Sequence, residues 1–284
     1  MANHTSSKSL PFAPSRVFVH LTLISYLLLA LLPILLVFMN SFKSRDAIFN
    51  DPLAWPTPET FSLIGYTKVL GRSDVLMYFG NSFIVTIASL FFILLFGAMA
   101  AWGLSEYRFK GNRWLKFFFA FGIMVPIRLG TVSILQLMVE LNLVNTLTAL
   151  VLVYVALNLP FTIWLLYGFI DQLPIELEEA AAIDGCGPFR VFYKIVLPLL
   201  KPGLAAAAIF TFRLAWNEFI LGFILTNRIT RTLPASISNY ITDTGVEWGK
   251  IMAAGVLIAL PPLIFTFVAA KQIITGLTAG AVKG

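Results

Sequence analysis

The chain is sparing with charge, yet between Ile175 and Pro202 it gathers Glu176, Glu178, Glu179 and Asp184 beside Arg190, Lys194 and Lys201. Acids and bases at that density could catalyse, hold a metal or meet another charged surface. Catalysis lacks its usual partners: only two histidines occur, His4 and His20, both near the N-terminus, so no Ser-His or Cys-His pair is visible. The single cysteine, Cys186, excludes an internal disulfide and a multi-cysteine zinc site, and two histidines are too few for a histidine-based metal centre. No G-x-x-x-x-G-K-[ST] phosphate loop is present, so the chain has no visible means of holding ATP. No catalytic residue, metal or bound cofactor is expected, and contact is the chemistry that remains.

A second set of polar residues interrupts the most apolar stretches. In "MVPIRLG", Pro126 breaks the backbone hydrogen-bond ladder and Arg128 follows it, with Gln136 two turns further on. A charge inside an apolar segment faces a cavity or a partner; for Arg128 these readings are a passing solute, or pairing with Glu218 or backbone carbonyls. In "WNEF", Trp216 offers a flat apolar surface of the kind sugar rings stack on, with Asn217 and Glu218 as hydrogen-bonding groups, although tryptophans in such segments also serve as packing. Arg213 and Asn217 are four apart and share a helical face, whereas Glu218 lies about 140° from Arg213. Tyr154 and Asn158 complete the set. Together Arg128, Gln136, Tyr154, Asn158, Trp216, Asn217 and Glu218 are the candidates for a substrate pathway.

The elements that carry these residues follow from composition. Hydrophobic residues make up 58% and charged residues 12% of the chain, at a mean hydropathy of +0.87, where a soluble domain has about a quarter of its residues charged. This is the composition of an all-α integral membrane protein. Six stretches reach the roughly 20 apolar residues that a helix needs to cross a bilayer: 17–40, 79–104, 114–138, 147–170, 203–226 and 251–273. The first is too long for the apolar region of a secretory signal and no small-residue cleavage site follows it, so it reads as an uncleaved anchor. The expected organisation is a tail over residues 1–16 and one membrane domain over 17–284, with the charged loop at 171–202.

Lysine and arginine near the span ends favour one orientation. With the N-terminus cytoplasmic, that side receives eleven cations against seven outside, four of the eleven within "SEYRFKGNRWLK". Both termini and the charged loop then face the cytoplasm. On the outer side, Pro52, Pro56 and Pro58 forbid a continuous helix after the first span, and Phe61, Ile64, Val69 and Leu70 recur at the spacing of a short surface helix. In the second outer loop, 227–250, Tyr240 and Trp248 suit the aromatic belt at a membrane interface.

Within the charged loop, Pro174 is placed for a helix start and the three glutamates fall in the first turns, where the helix dipole favours negative charge. Alanines 180–182 propagate the helix, and Asp184-Gly185 ends it, since glycine accepts a left-handed cap at little cost. A second helix can start at Pro188 and turn Phe189, Phe192, Ile195 and Val196 toward one side, until Pro198 and Pro202 lead into the fifth span. A helix resting on anionic headgroups would favour cations; this one has a small, alanine-lined face edged with carboxylates, which suits close approach by a basic protein surface.

Glu179-Ala180-Ala181, then Gly185, then Ile195 and Leu197-Pro198 resemble the "EAA…G…I-LP" signature of permease subunits of bacterial ATP-binding cassette importers, in spacing and in placement before the next-to-last span. "WNEF" and the tail "GLTAGAVKG" from Gly276 resemble the carbohydrate branch, its maltose-type second permease, and the likeness extends over the whole chain. The resemblance implies a type I importer permease fold of six spans in the bacterial inner membrane, with Glu179, Ala180, Ala181, Asp184 and Gly185 in a cytoplasmic coupling helix seated on a separate ATPase. It further implies a heterodimer with a related permease, two ATPase subunits that hold ATP and magnesium, an external solute-binding protein and a carbohydrate solute, in a lipid membrane and without nucleic acid. The rival is an ion-coupled secondary transporter, which calls for buried carboxylates; Glu218 is the one acid placed well inside a span.

Overall fold

The computed structural model describes residues 14–71, 73–174, 176–242 and 245–281. Most of the expected N-terminal tail, Ile175 and the last three residues of the "GLTAGAVKG" tail lie outside them. The helices are α1 (Pro14–Asn40), α2 (Arg45–Asn50), α3 (Ile64–Leu70), α4 (Ser73–Glu106), α5 (Asn112–Met124), α6 (Thr131–Glu140), α7 (Leu147–Ile170), α8 (Glu176–Ile183), α9 (Pro188–Val191), α10 (Leu197–Leu199), α11 (Lys201–Trp216), α12 (Ile220–Ile224) and α13 (Trp248–Ala281). A two-stranded hairpin pairs Ile241–Thr242 with Gly245–Val246. Among the described residues, four helices are long and apolar enough to cross a membrane alone, and six crossings result if each of two bent helix pairs counts as one.

Two compact units divide the described residues, one up to Lys68 with Trp248–Val256, the other Val69–Glu247 with the residues from Leu257. In the first, the proline-rich segment is ordered by polar contacts. The Lys43 ammonium donates to the Asp51 carbonyl at 2.9 Å, the Ser41 and Tyr66 hydroxyls share a hydrogen bond of 2.8 Å, and Lys43 bridges Phe61 through the backbone. A Cβ at Gly65 would stand 2.5 Å from the Gly249 carbonyl oxygen, so this approach requires a glycine. The expected short helix before the second span is α3; α2 was not anticipated.

In the second unit, α4 lies along α7, with α11 packed on both and α5 on α7. Small residues make this approach close: a Cβ on Gly97 would meet the Thr162 methyl at 2.7 Å, and one on Gly203 would meet the Phe169 ring at 2.8 Å. α4 outruns its expected span at both ends. Asp74 sits in its first turn, and the Asn112 amide donates to the Leu104 and Tyr107 carbonyls at its C-terminus, satisfying groups that would otherwise lack partners.

Two expected spans are not single helices. The third is α5 and α6, bent by 85° where Val125 turns extended before Pro126. The fifth stops at Trp216, and α12 begins at Ile220 after a gap of three residues. Ahead of it a wide π turn, Phe192–Val196, precedes Pro198, which lacks the N–H of a normal helical turn, and the chain then bends 73° into α11. Tyr240 does not belong to an interfacial belt: it is buried in the protein. The loop that holds it is pinned to α4, where the Asn81 amide donates to the Ile229 and Arg231 carbonyls and the Ser82 hydroxyl accepts from the Leu233 N–H at 2.7 Å.

Candidate functional site

The two interrupted spans meet through their polar residues. Arg128, in the single turn Ile127–Gly130 between α5 and α6, reaches Glu218 in the gap between α11 and α12, Nη1 to Oε1 3.3 Å. The same Glu218 oxygen accepts from the Leu221 backbone N–H at 2.9 Å, so one carboxylate both pairs a cation and caps the short helix that follows. Of the two readings of Arg128, pairing with Glu218 is the one seen. Its side chain nevertheless keeps 58% of its surface exposed against 17% for Glu218, leaving donors free for a further group.

The other candidates differ in how they stand. Asn217 ends α11, its N–H donating to the Arg213 carbonyl, and its side chain is exposed, as is that of Gln136. Asn158 donates to the Tyr154 carbonyl within α7 at 2.8 Å. Tyr154 is only 2% exposed, and its hydroxyl finds no partner among the described protein groups. A free face on Trp216 is not present: the indole is 1% exposed, stacks on Phe212, meets Phe79 edge-on and donates to the Ile258 carbonyl at 3.0 Å. It sits one residue before the helix gap, on the side where Ala215 is also buried, so the packing reading describes it.

In the charged loop, α8 has Glu176, Glu178 and Glu179 in its first turn. Among the described residues the helix runs from Glu176, and the Pro174 carbonyl accepts from the Leu177 N–H at 3.3 Å. The helix closes as its sequence requires. Gly185 has φ +77°, a left-handed conformation, and the Cys186 N–H folds back to the Ala181 carbonyl at 3.0 Å. Ala181 faces inward, packed with Trp102, Val191, Phe192 and Val196, while Glu179, Ala180, Asp184 and Gly185 remain exposed. Phe189 is exposed too, contrary to its expected place beside Phe192. Val191 carries the buried face of α9, and a residue two positions away on a helix points about 200° from it.

α8 also displays apolar surface outward: Ile183 is 87% and Leu177 44% exposed, next to the exposed carboxylates of Glu176 and Glu179. Sequence spacing did not bring Trp102 to this site. Its indole N–H donates to Glu178 Oε2 at 3.0 Å, and the only signal was an indole near the charged end of the second span.

Residues 93–277, which include α8 and both interrupted spans, match the family model described as binding-protein-dependent transport system inner membrane component. The chain belongs to this family. Similar proteins include the diacetylchitobiose uptake system permease protein DasC of Streptomyces coelicolor, 35% identical over 95% of this chain and 98% of that one. The sulfoquinovosyl glycerol transport system permease protein SmoH of Agrobacterium fabrum is 31% identical over 89% of each chain. Among solved structures, a chain of a bacterial ABC transporter involved in the import of the acidic polysaccharide alginate superposes with a TM-score of 0.76 at 20% identity, covering 93% of this chain and 99% of that one. A chain of the MetNI methionine ABC transporter gives 0.58 at 17% identity, covering 75% and 98%. This transport component therefore has the fold of an ABC importer permease and is a multi-pass protein of the inner membrane.

Proposed function

We propose that this permease component carries a carbohydrate inward, driven by ATP that separate ATPase subunits bind with magnesium and hydrolyse, and that α8 is the helix those subunits move. The observation that carries the reading is the exposed edge of α8. Leu177 and Ile183 stand in solvent beside Glu176 and Glu179 on a helix whose inner face is fixed to the core through Ala181. Exposed apolar groups rimmed by charge suit a protein partner with a basic rim. The lysine and arginine bias supports a cytoplasmic position for α8 together with both termini.

The full assembly in this reading holds a second, related permease, two ATPases and an external solute-binding protein. ATP and solute each shift the equilibrium between outward and inward access only by their differential affinity for the two states. A carbohydrate cargo is supported by the names of the relatives, one from a diacetylchitobiose uptake system and one from a sulfoquinovosyl glycerol transport system. Of the pathway candidates, Arg128, Asn217 and Gln136 offer exposed polar groups, Glu218 and Asn158 are half-buried, and Tyr154 and Trp216 are buried. Replacing Gly185 by glutamate tests the reading. The left-handed backbone there tolerates a side chain poorly, so the variant is expected to insert in the membrane but to lose its ATPases on purification and to stop uptake. Retention of both activities would refute it.

A further inference from the structure

Between α8 and the membrane core there is one direct polar link among the described residues, the hydrogen bond from the Trp102 indole to Glu178. Trp102 lies four residues before the end of α4, which packs against α7 and α11 in the second unit. The indole is held on two sides: Phe192 packs against it at 5.2 Å with the rings tilted by 37°, and Tyr107 meets it edge-on at 5.5 Å. Only 8% of the residue is exposed, so its N–H has one direction in which to donate, and Glu178 occupies it. A buried indole N–H without an acceptor would be unfavourable, which makes the contact directional as well as attractive.

The same helix end also repels. Glu106, the last residue of α4, feels the charges of Glu178 and Glu179. The indole holds one of these carboxylates beside that like charge. Ala181, one turn along α8 from Glu178, packs into the cluster that contains Trp102, Phe192 and Val196, so apolar packing and the hydrogen bond act at neighbouring points of the same face. Packing through a methyl group lets a helix roll; a hydrogen bond to a fixed indole does not.

We infer that Trp102 is a positioning residue for coupling, its indole fixing the roll of α8 through Glu178 so that motion imposed on α8 passes into α4. The inference rests on the reading of α8 as the ATPase-driven helix. Loosening the link leaves the ATPases attached but lets them turn over without engaging the spans.

The test uses the complete complex reconstituted in liposomes, with MgATP hydrolysis measured without binding protein and hydrogen exchange followed over residues 176–183. Trp102→Phe keeps an aromatic ring against Phe192 and removes the N–H; Glu178→Ala removes the acceptor; Glu178→Gln keeps an acceptor oxygen. Trp102→Phe and Glu178→Ala are each expected to raise unstimulated hydrolysis about threefold, with ATPases still bound and α8 exchanging faster. The double variant adds nothing further, and Glu178→Gln stays at the wild-type rate. A residue needed only for folding would lower hydrolysis or shed the ATPases instead. Wild-type hydrolysis and exchange in Trp102→Phe, or loss of its ATPases, overturns the inference. Gly185→Glu in the same series separates the two claims: if it keeps its ATPases the docking reading fails, whereas normal Trp102→Phe behaviour beside a stripped Gly185→Glu complex removes only the positioning role.

Discussion

Arg128 and Glu218 join two spans at the points where both lose their helical hydrogen bonds, 3.3 Å apart. The carboxylate does a second job there as the cap of Leu221. A change at Glu218 therefore has two separable consequences. Glu218→Gln keeps an oxygen for the Leu221 N–H and loses the charge, so uptake falls while thermal stability holds. Glu218→Ala removes both and lowers stability by about 1 kcal/mol as well, read as a lower melting temperature of the detergent-purified complex.

Trp216 gives the opposite pattern. Its ring is buried and its N–H bonds a carbonyl, so Trp216→Ala is expected to destabilise by about 3–5 kcal/mol through the cavity it leaves, seen as poor yield and early melting. Trp216→Phe retains most of the packing and leaves the concentration dependence of solute uptake unchanged. A shift in that dependence without loss of stability would instead make the ring a solute contact.

How much of this was readable beforehand depended on the physical range of the signal. α8 was legible down to its last turn, because acids at a helix start, alanines within it and a glycine in the left-handed region at its end are local requirements. The interruption after Trp216 was not, since "WNEFILGF" contains no proline and the apolar run resumes at Phe219. Glu218, inside the break, pairs with Arg128 ninety positions away in the chain, a contact that no local pattern carries. Phe189 and Tyr240 were misplaced for a related reason: their type favours burial or an interface, but position relative to Val191 in one case and to the packed loop in the other decides exposure. Trp102 was passed over because its partner lies on another element.

The contact of α4 with α7 leaves no room at Gly97. Gly97→Val would push branches toward Thr162, already 2.7 Å from an added Cβ, and is expected to cost about 1–3 kcal/mol, measurable as a drop in melting temperature. Gly80, where an added Cβ meets nothing within 4 Å, is the control: Gly80→Ala should be near neutral.

At the far end of α4, Arg228 pairs with Asp74 at 2.8 Å in an exposed position. The hydrogen bond to Asp74, reinforced by its charge, holds the guanidinium above its ordinary value. An exposed pair contributes little to stability. Arg228→Ala should leave melting unchanged, whereas Asn81→Ala, which removes two bonds to the loop carbonyls, should speed hydrogen exchange around residues 229–233.

What α8 touches decides its role. In a Cys186→Ser background, Ile183→Cys places a thiol at the outermost apolar point of the helix. Oxidative or short bifunctional crosslinking in membranes that contain the whole transporter is the direct measurement. A covalent adduct between this chain and an ATPase subunit, strengthened or weakened by ATP, is the expected result. Labelling of that thiol by an impermeant reagent from the external face, with no ATPase adduct, would contradict it.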